Sequence, residues 1–247
     1  MTLDIDVLSV PKRAFAAHSH DEFVISVNAG SVLEERVRLD GHRFEVAGGG
    51  VTTYNPLQIQ SSVTRTRDDV PWSCISVSAT AADVQELTGR ADGEFSSPQS
   101  SSPRLARGLR RAAASTGTSA QEWAAWCVAE ALASSERRDQ ADRPRSLLTS
   151  AARHYLAQEM HRPVSLAELA GVLGTSAGVL SRAFVQESGV PPYSWQLQLR
   201  LLEGRRRLRG GGRIAAVAAE LGFTDQAHFH RHYRAAYART PGADARR

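Results

Sequence analysis

Between Phe23 and Ala79 the chain runs through four short stretches, FVISVNAG, SVLEERVRL, RFEVAGGGVTTYN and WSCISVSA, separated by Gly, Asn-Pro and Asp-Asp turn signals. They are rich in β-branched and aromatic residues. This pattern predicts strands, and so many in residues 1–80 predict a small barrel or sandwich. Residues 91–103, ADGEFSSPQSSSP, read as a loop. In the segment 81–138, Leu105, Leu109 and Ala112 then fall at helical spacing. Ser119 and Glu122 have the spacing of a capping box ahead of Trp123, Trp126, Cys127 and Ala131 on one stripe. This helical pair either closes the strand domain or forms a dimer contact. SERRDQADRPR, residues 135–145, reads as a hinge between two domains.

From Ser146 onward the period is helical. Leu148, Ala152, Tyr155 and Leu156 share one face, and Ser165 with Glu168 forms a capping box for a short helix that reaches Leu173. Ser176 caps the next helix, in which Val179, Leu180, Ala183 and Phe184 line the apolar side until Gly189, Pro191 and Pro192 end it. LAELAGVLGTS (166–176) then returns as IAAVAAELGFT (214–224), pairing Leu169 with Val217, Ala170 with Ala218, Leu173 with Leu221 and Gly174 with Gly222. One inserted residue later, Leu180 falls on Phe229, Arg182 on Arg231, Phe184 on Tyr233 and Pro192 on Pro241. Each copy, 165–189 and 213–238, is a short helix, a glycine turn and a second helix, the layout that places a recognition helix in a major groove. Between them PYSWQLQLRLLEGRRRLRG predicts a connecting helix, weakened slightly at Gly204. Held rigidly by it, the two recognition helices would enter successive grooves about 34 Å apart. A helical solenoid is the alternative, but solenoids need about three repeats or more.

Charge sharpens this division. The net charge is only +4, yet from Arg145 to the end there are 15 Arg and 7 acidic residues, against 15 basic and 19 acidic residues before it. A basic module that meets a polyanion is thus joined to a mildly acidic one with another task. Lys12 is the only lysine, so nearly all the positive side chains are guanidinium forks suited to phosphate and guanine. Cys74 and Cys127 stand far apart, which argues against a disulfide scaffold or a cysteine zinc site. No run approaches the roughly 18 apolar residues of a membrane span, and MTLDIDVLSVPKRAF lacks a leader's basic-then-apolar layout, so the expected location is cytoplasmic.

The stretch SLAELAGVLGTSAGVLSRAFVQESGVPPYSWQLQLRLLEGRRRL, followed by IAAVAAELGFTDQAHFHRHYRAAYARTP, resembles the two-unit DNA-binding domain of AraC/XylS transcription regulators over residues 145–247. The resemblance implies a sequence-specific, ligand-responsive activator, a homodimer that meets promoter DNA, a small-molecule effector and RNA polymerase. It implies base and phosphate contacts from Gly178, Ser181 and Arg182 in the first unit and from Gln226, Ala227, His230 and Arg231 in the second, with Ser176, Thr224 and Arg234 beside them. Gly178 and Ala227 have almost no side chain for base reading, which leaves Arg182 and Arg231 as the main candidates. The neighbouring Arg205, Arg206, Arg207 and Arg209 read as a solvated or phosphate-facing run.

HSHDEFVISV (18–27) with YNPLQIQ resembles the cupin-like sensor that this family carries. The expected fold is therefore α+β in two domains: a cupin-like β-barrel with following helices, then an all-α double helix-turn-helix. His18, His20 and Glu22 alternate onto one strand face, as a metal-dependent cupin enzyme would need, so such an enzyme fused to a DNA-binding module is the alternative. Gln60, however, stands where a fourth ligand would be His, and an amide is a poor ligand for a catalytic metal. A pocket without metal or cofactor is therefore expected, with His18, His20, Glu22, Gln58, Gln60 and Trp72 orienting a small organic ligand. On a helix, His228, His230 and His232 do not converge. His228 and His232 stand one turn apart, with no Cys or further His beside them to complete a metal site.

Overall fold

The computed structural model describes residues 1–10, 14–28, 32–66, 70–90, 93–135 and 146–245. Most of the expected hinge, together with the Asp68-Asp69 turn, lies outside the described residues. Eight strands open the chain: β1 (Asp4–Val10), β2 (Ala14–His18), β3 (Phe23–Asn28), β4 (Val32–Leu39), β5 (His42–Ala47), β6 (Val51–Tyr54), β7 (Gln60–Thr66) and β8 (Trp72–Ala79). After α1 (Ala81–Thr88), the stretch expected to be all loop contributes β9 (Gln99–Ser100), which pairs with β6.

These strands do not close into a barrel. They form two antiparallel sheets, one ordered β1-β8-β3-β6-β9 and the other β2-β7-β4-β5. The outer strand β5 displays exposed His42, Arg43 and Glu45, charges that discourage further pairing at an edge.

Alternation decides what each face of the first sheet meets. Ile25, Val27, Val51 and Val77, each fully buried, face α2 (Pro103–Ala114) and α3 (Gly117–Ser135), where Leu105, Leu109, Ala124, Cys127 and Val128 complete the core. The apolar stripes of these two helices are used up within the chain. Their outward side carries Arg104 and Arg111, which stack over Trp126 and Trp123 with guanidinium-to-ring distances of 5.8 and 4.7 Å. Helix α3 begins two residues before Ser119, so Ser119 lies inside the first turn and not at the cap.

The remainder is helical: α4 (Leu147–Gln158), α5 (Leu166–Val172), α6 (Ala177–Ser188), α7 (Pro192–Arg209), α8 (Ile214–Glu220), α9 (Gln226–Tyr237) and α10 (Pro241–Asp244). Helix α7 is shared by two cores. Its first half sets Trp195 against Ala152, Leu156, Leu169, Leu180 and Phe184, and its second half sets Leu201, Leu202 and Leu208 against Val217, Leu221, Phe229 and Tyr233. Burying one such side chain is worth about 1.5–3 kcal/mol, so the two units are held to one rod by several of them each. Gly204 has its reason here: a Cβ there would lie 2.9 Å from the Phe229 ring, so the missing side chain lets α9 pack against α7.

Candidate functional site

In the first helix-turn-helix unit Ser165 caps α5 by accepting from the Glu168 amide, while the Glu168 side chain turns to Arg162 and Tyr155, leaving the capping box half made. The turn passes through Gly174 at φ +62°, and Ser176 caps α6. Leu180 and Phe184 face the core, whereas Val179, expected beside them, is exposed. The second unit repeats this with Gly222 at φ +71°, but its cap is Asp225, which accepts from the His228 amide. The inserted residue therefore falls between turn and cap, and Thr224, aligned with Ser176, lies exposed just before the cap.

Both second helices turn one side to solvent. Arg182 on α6 and Gln226, Arg231 and Arg234 on α9 are exposed; Ser181 and His230 are partly so. Arg182, Arg231 and Arg234 form no ion pair with any of the described residues. Phe229, Tyr233 and Ala236 form the buried stripe of α9. His228 and His232 meet edge to edge, their Nε2 atoms 2.9 Å apart, and burial with the neighbouring His228 and Arg231 holds His232 below the usual imidazole range. Among the described residues no group of three His, Cys, Asp or Glu is placed to hold a metal ion.

The arginine run on α7 is solvated only in part: Arg206 is exposed, and Arg207 and Arg209 are half-buried. Arg205 is buried, with Glu22 3.5 Å and Asp244 3.6 Å away. Arg209 donates to Glu22 at 3.0 Å and to Asp4 at 3.2 Å, and Arg239 lies 2.8 Å from Asp6. Arg206 and Arg207 both grip Glu203 at 2.7 Å; the Arg206 bond is the main cause that lowers that carboxyl to about 2, with Arg207 adding to it. Helical guanidinium groups thus reach across to the strand domain, where Gln198 also donates to the Ala17 carbonyl at 2.9 Å.

These cross-links border a cavity of about 130 Å³ between the two sheets. Its origin is legible in alternation: the inward face of β8 reads Trp72, Cys74, Ser76 and Ser78, and β3 offers Ser26 beside them, so small hydroxyls replace bulk where a sandwich core would be filled. Phe15 and Trp72 form one wall, with ring centroids 4.9 Å apart, and Glu35 and Tyr54 form another. Arg205, Tyr237 and Arg239 from the helical domain complete the lining.

Of the expected ligand residues, His18, His20, Gln60 and Trp72 line this space. Glu22 does not, being engaged by Arg205 and Arg209, so the His-x-His-x-Glu set is not gathered around one point. Gln58 is spent on its own turn, accepting from the Asn55 amide and donating to Asp40. Burial, then the neighbouring His18, Arg205 and Arg209, holds His20 well below the usual imidazole range and hence neutral. Glu35, Tyr54, Arg205 and Arg239 were not among the expected residues. Strand parity places Tyr54 and Ser26 on one face, but nothing local foretells the two arginines.

A helix-turn-helix domain family matches residues 169–247. The transcriptional activator RhaS of Pectobacterium carotovorum subsp. carotovorum (strain PC1) is 32% identical over 88 residues, which cover 35% of this chain and 32% of that protein. The chain thus spans about a third of the length of this curated relative. Over nearly its whole length the fold is similar to that of unsaturated fatty acid bound wild-type ToxT from Vibrio cholerae strain SCE256, with a TM-score of 0.60, 12% identity and coverage of 98% of this chain and 94% of the other. ToxT from Vibrio cholerae O395 bound to (E)-4-(8-methylnaphthalen-1-yl)but-3-enoic acid gives 0.56 at 10% identity, covering 99% and 98%. Residues 169–247 thus carry a domain of the helix-turn-helix family, as the second part of a chain in which twin units on one shared helix stand behind a two-sheet domain.

Proposed function

We propose that the chain is a sequence-specific promoter-binding activator whose DNA affinity responds to a small molecule held between its sheets. One observation carries the DNA half: two helix-turn-helix units share the single rod α7, and each leaves arginine exposed on its second helix and without an ion pair among the described residues. Arg182 and Arg231 read bases, or grip phosphates beside them, in successive major grooves. Ser176, Ser181, Thr224, Gln226, His230 and Arg234 supply the flanking contacts. The ligand half rests on the cavity lining. The DNA-binding domain itself supplies Arg205, Tyr237 and Arg239 to it, so an occupant touches both domains and biases how they sit. The named relative is an activator and one structural neighbour holds a fatty acid, and the same roles, activation and ligand response, are proposed here. A homodimer and contact with RNA polymerase belong to the same reading.

Selection from random double-stranded DNA at fixed salt tests it. The wild type should enrich a site with two blocks about one helical turn apart. Arg182→Ala and Arg231→Ala should each lose about 1–3 kcal/mol of discrimination at one block if they read guanine, or weaken all sequences alike if they hold phosphate. Unchanged binding to both selected and random DNA in both variants would reject the assignment.

A further inference from the structure

The cavity between the sheets has an unbalanced charge on its wall. Five ionisable groups of fixed sign line it: Asp6, Glu35 and Asp244 against Arg205 and Arg239. Arg239 holds Asp6 at 2.8 Å, and Arg205 lies within ion-pair distance of Asp244 at 3.6 Å and Glu22 at 3.5 Å, although its Nε and Nη1 make no hydrogen bond to the described residues. Glu35 is different. It is buried, and its hydrogen-bond partner is the neutral Asn28 amide at 2.8 Å; among the described residues no Arg or His forms an ion pair with it. Its field reaches its neighbours: burial first, and then the Glu35 charge, push the Tyr54 hydroxyl and the Cys74 thiol above their ordinary ranges.

A carboxyl group taken out of water with only an amide beside it is costly to leave unmatched. The surrounding surface suits a cation. Phe15 and Trp72 meet at 4.9 Å, and aromatic faces attract ammonium groups, indole most of all. A long anionic chain of the kind named for the structural neighbour is a poor match, since about 130 Å³ is small for a ligand site and the uncompensated wall is negative.

We propose that this cavity binds a compact organic cation, a protonated amine on a small apolar or aromatic body, with its ammonium hydrogen-bonded to Glu35 and its body against Phe15 and Trp72. The inference rests on the ligand-responsive reading given above and names the ligand class of that site. It makes Glu35 the residue that sets specificity, and the cavity selects against carboxylates by repulsion.

Three probes of similar shape decide it: benzylamine, benzyl alcohol and benzoate, titrated calorimetrically into the full chain, with melting temperature as a second readout. The amine should bind the wild type at least about tenfold tighter than either analogue, as expected for a charge-assisted hydrogen bond. Glu35→Gln keeps the shape and an acceptor for Asn28, and should weaken the amine by about tenfold or more while leaving the alcohol within about twofold. Benzoate binding as tightly as benzylamine, an unchanged amine affinity in Glu35→Gln, or no binding of any probe would overturn the proposal. The unliganded melting curve of Glu35→Gln reports its folding; if it does not fold, the wild-type comparison of the three probes decides alone. DNA selection separates the two readings: specific DNA binding without amine preference sinks only the ligand class, whereas amine binding without specific DNA binding sinks the regulatory reading.

Discussion

Replacing Glu22 by Gln cuts the main charge link between the strand domain and α7. In the wild type one carboxylate oxygen accepts from Arg209 at 3.0 Å and the other lies 3.5 Å from Arg205, with Glu22 8% and Arg205 7% exposed. Removing one partner of a buried ion pair costs about 3–5 kcal/mol, because the other charge stays desolvated and unmatched. Here the loss is partly cushioned. Arg209 is 28% exposed in its side chain and keeps Asp4 at 3.2 Å, while Arg205 keeps Asp244 at 3.6 Å. About half the full cost should remain, ~2 kcal/mol, which for a chain of this size lowers the melting temperature by about 4–8 °C. Thermal unfolding followed by circular dichroism measures it. A double-mutant cycle with Arg209→Ala should return a coupling of about 1 kcal/mol or more, since the two groups touch. A Glu22→Gln melting temperature within about 1 °C of the wild type would refute the reasoning, because it would mean that the pair is solvated and the domains are joined by other contacts.

Gly222→Ala should destabilise the second unit by about 2 kcal/mol or more: left-handed backbone costs an L-residue about 1–2 kcal/mol, and the new Cβ would stand 2.3 Å from the His161 carbonyl oxygen. Denaturant unfolding checks this; equal midpoints would remove the packing explanation. Tyr233→Phe takes the hydroxyl donor from buried Asp244 and should cost about 1–3 kcal/mol, read the same way. His20 makes a pH prediction. Its folded pKa is depressed, so the stability from keeping it neutral is complete above the unfolded value near 6.5 and is lost as pH falls from there toward the folded pKa. His20→Gln should flatten the fall in melting temperature between about pH 7 and pH 5, and an identical slope in both proteins would exclude His20 as its source.

Local chemistry made much of this molecule readable in advance. The second unit was visible because Gly222 must take a left-handed turn and because Phe229, Tyr233 and Ala236 recur at helical spacing; the exposure of Arg231 and Arg234 follows from the same periodicity. His18, Gln60 and Trp72 were also found as lining residues, since they are polar or aromatic residues at strand ends. Other features were misread where a distant partner overrides the local pattern. Val179 sits on the apolar side by spacing but is exposed, and Glu168 abandons its capping role for Arg162 and Tyr155.

By itself the sequence determined the repeat, the two kinds of periodicity and the uneven charge, because each is read by position along the chain and needs no knowledge of which distant residues touch. Only tertiary structure decided that the strands form two sheets instead of a closed barrel, since closure depends on which edges meet. It alone decided that Arg205 and Arg209 of α7, with Arg239 beyond α9, turn inward, because Glu22, Asp4 and Asp6 stand more than 180 residues away along the chain and only folding brings them within 4 Å. The charge that the cavity presents is of the same kind. Glu35 stands in a run of three charged residues, Glu34-Glu35-Arg36, and it becomes the unmatched wall of a cavity only when a second sheet and a second domain close over it.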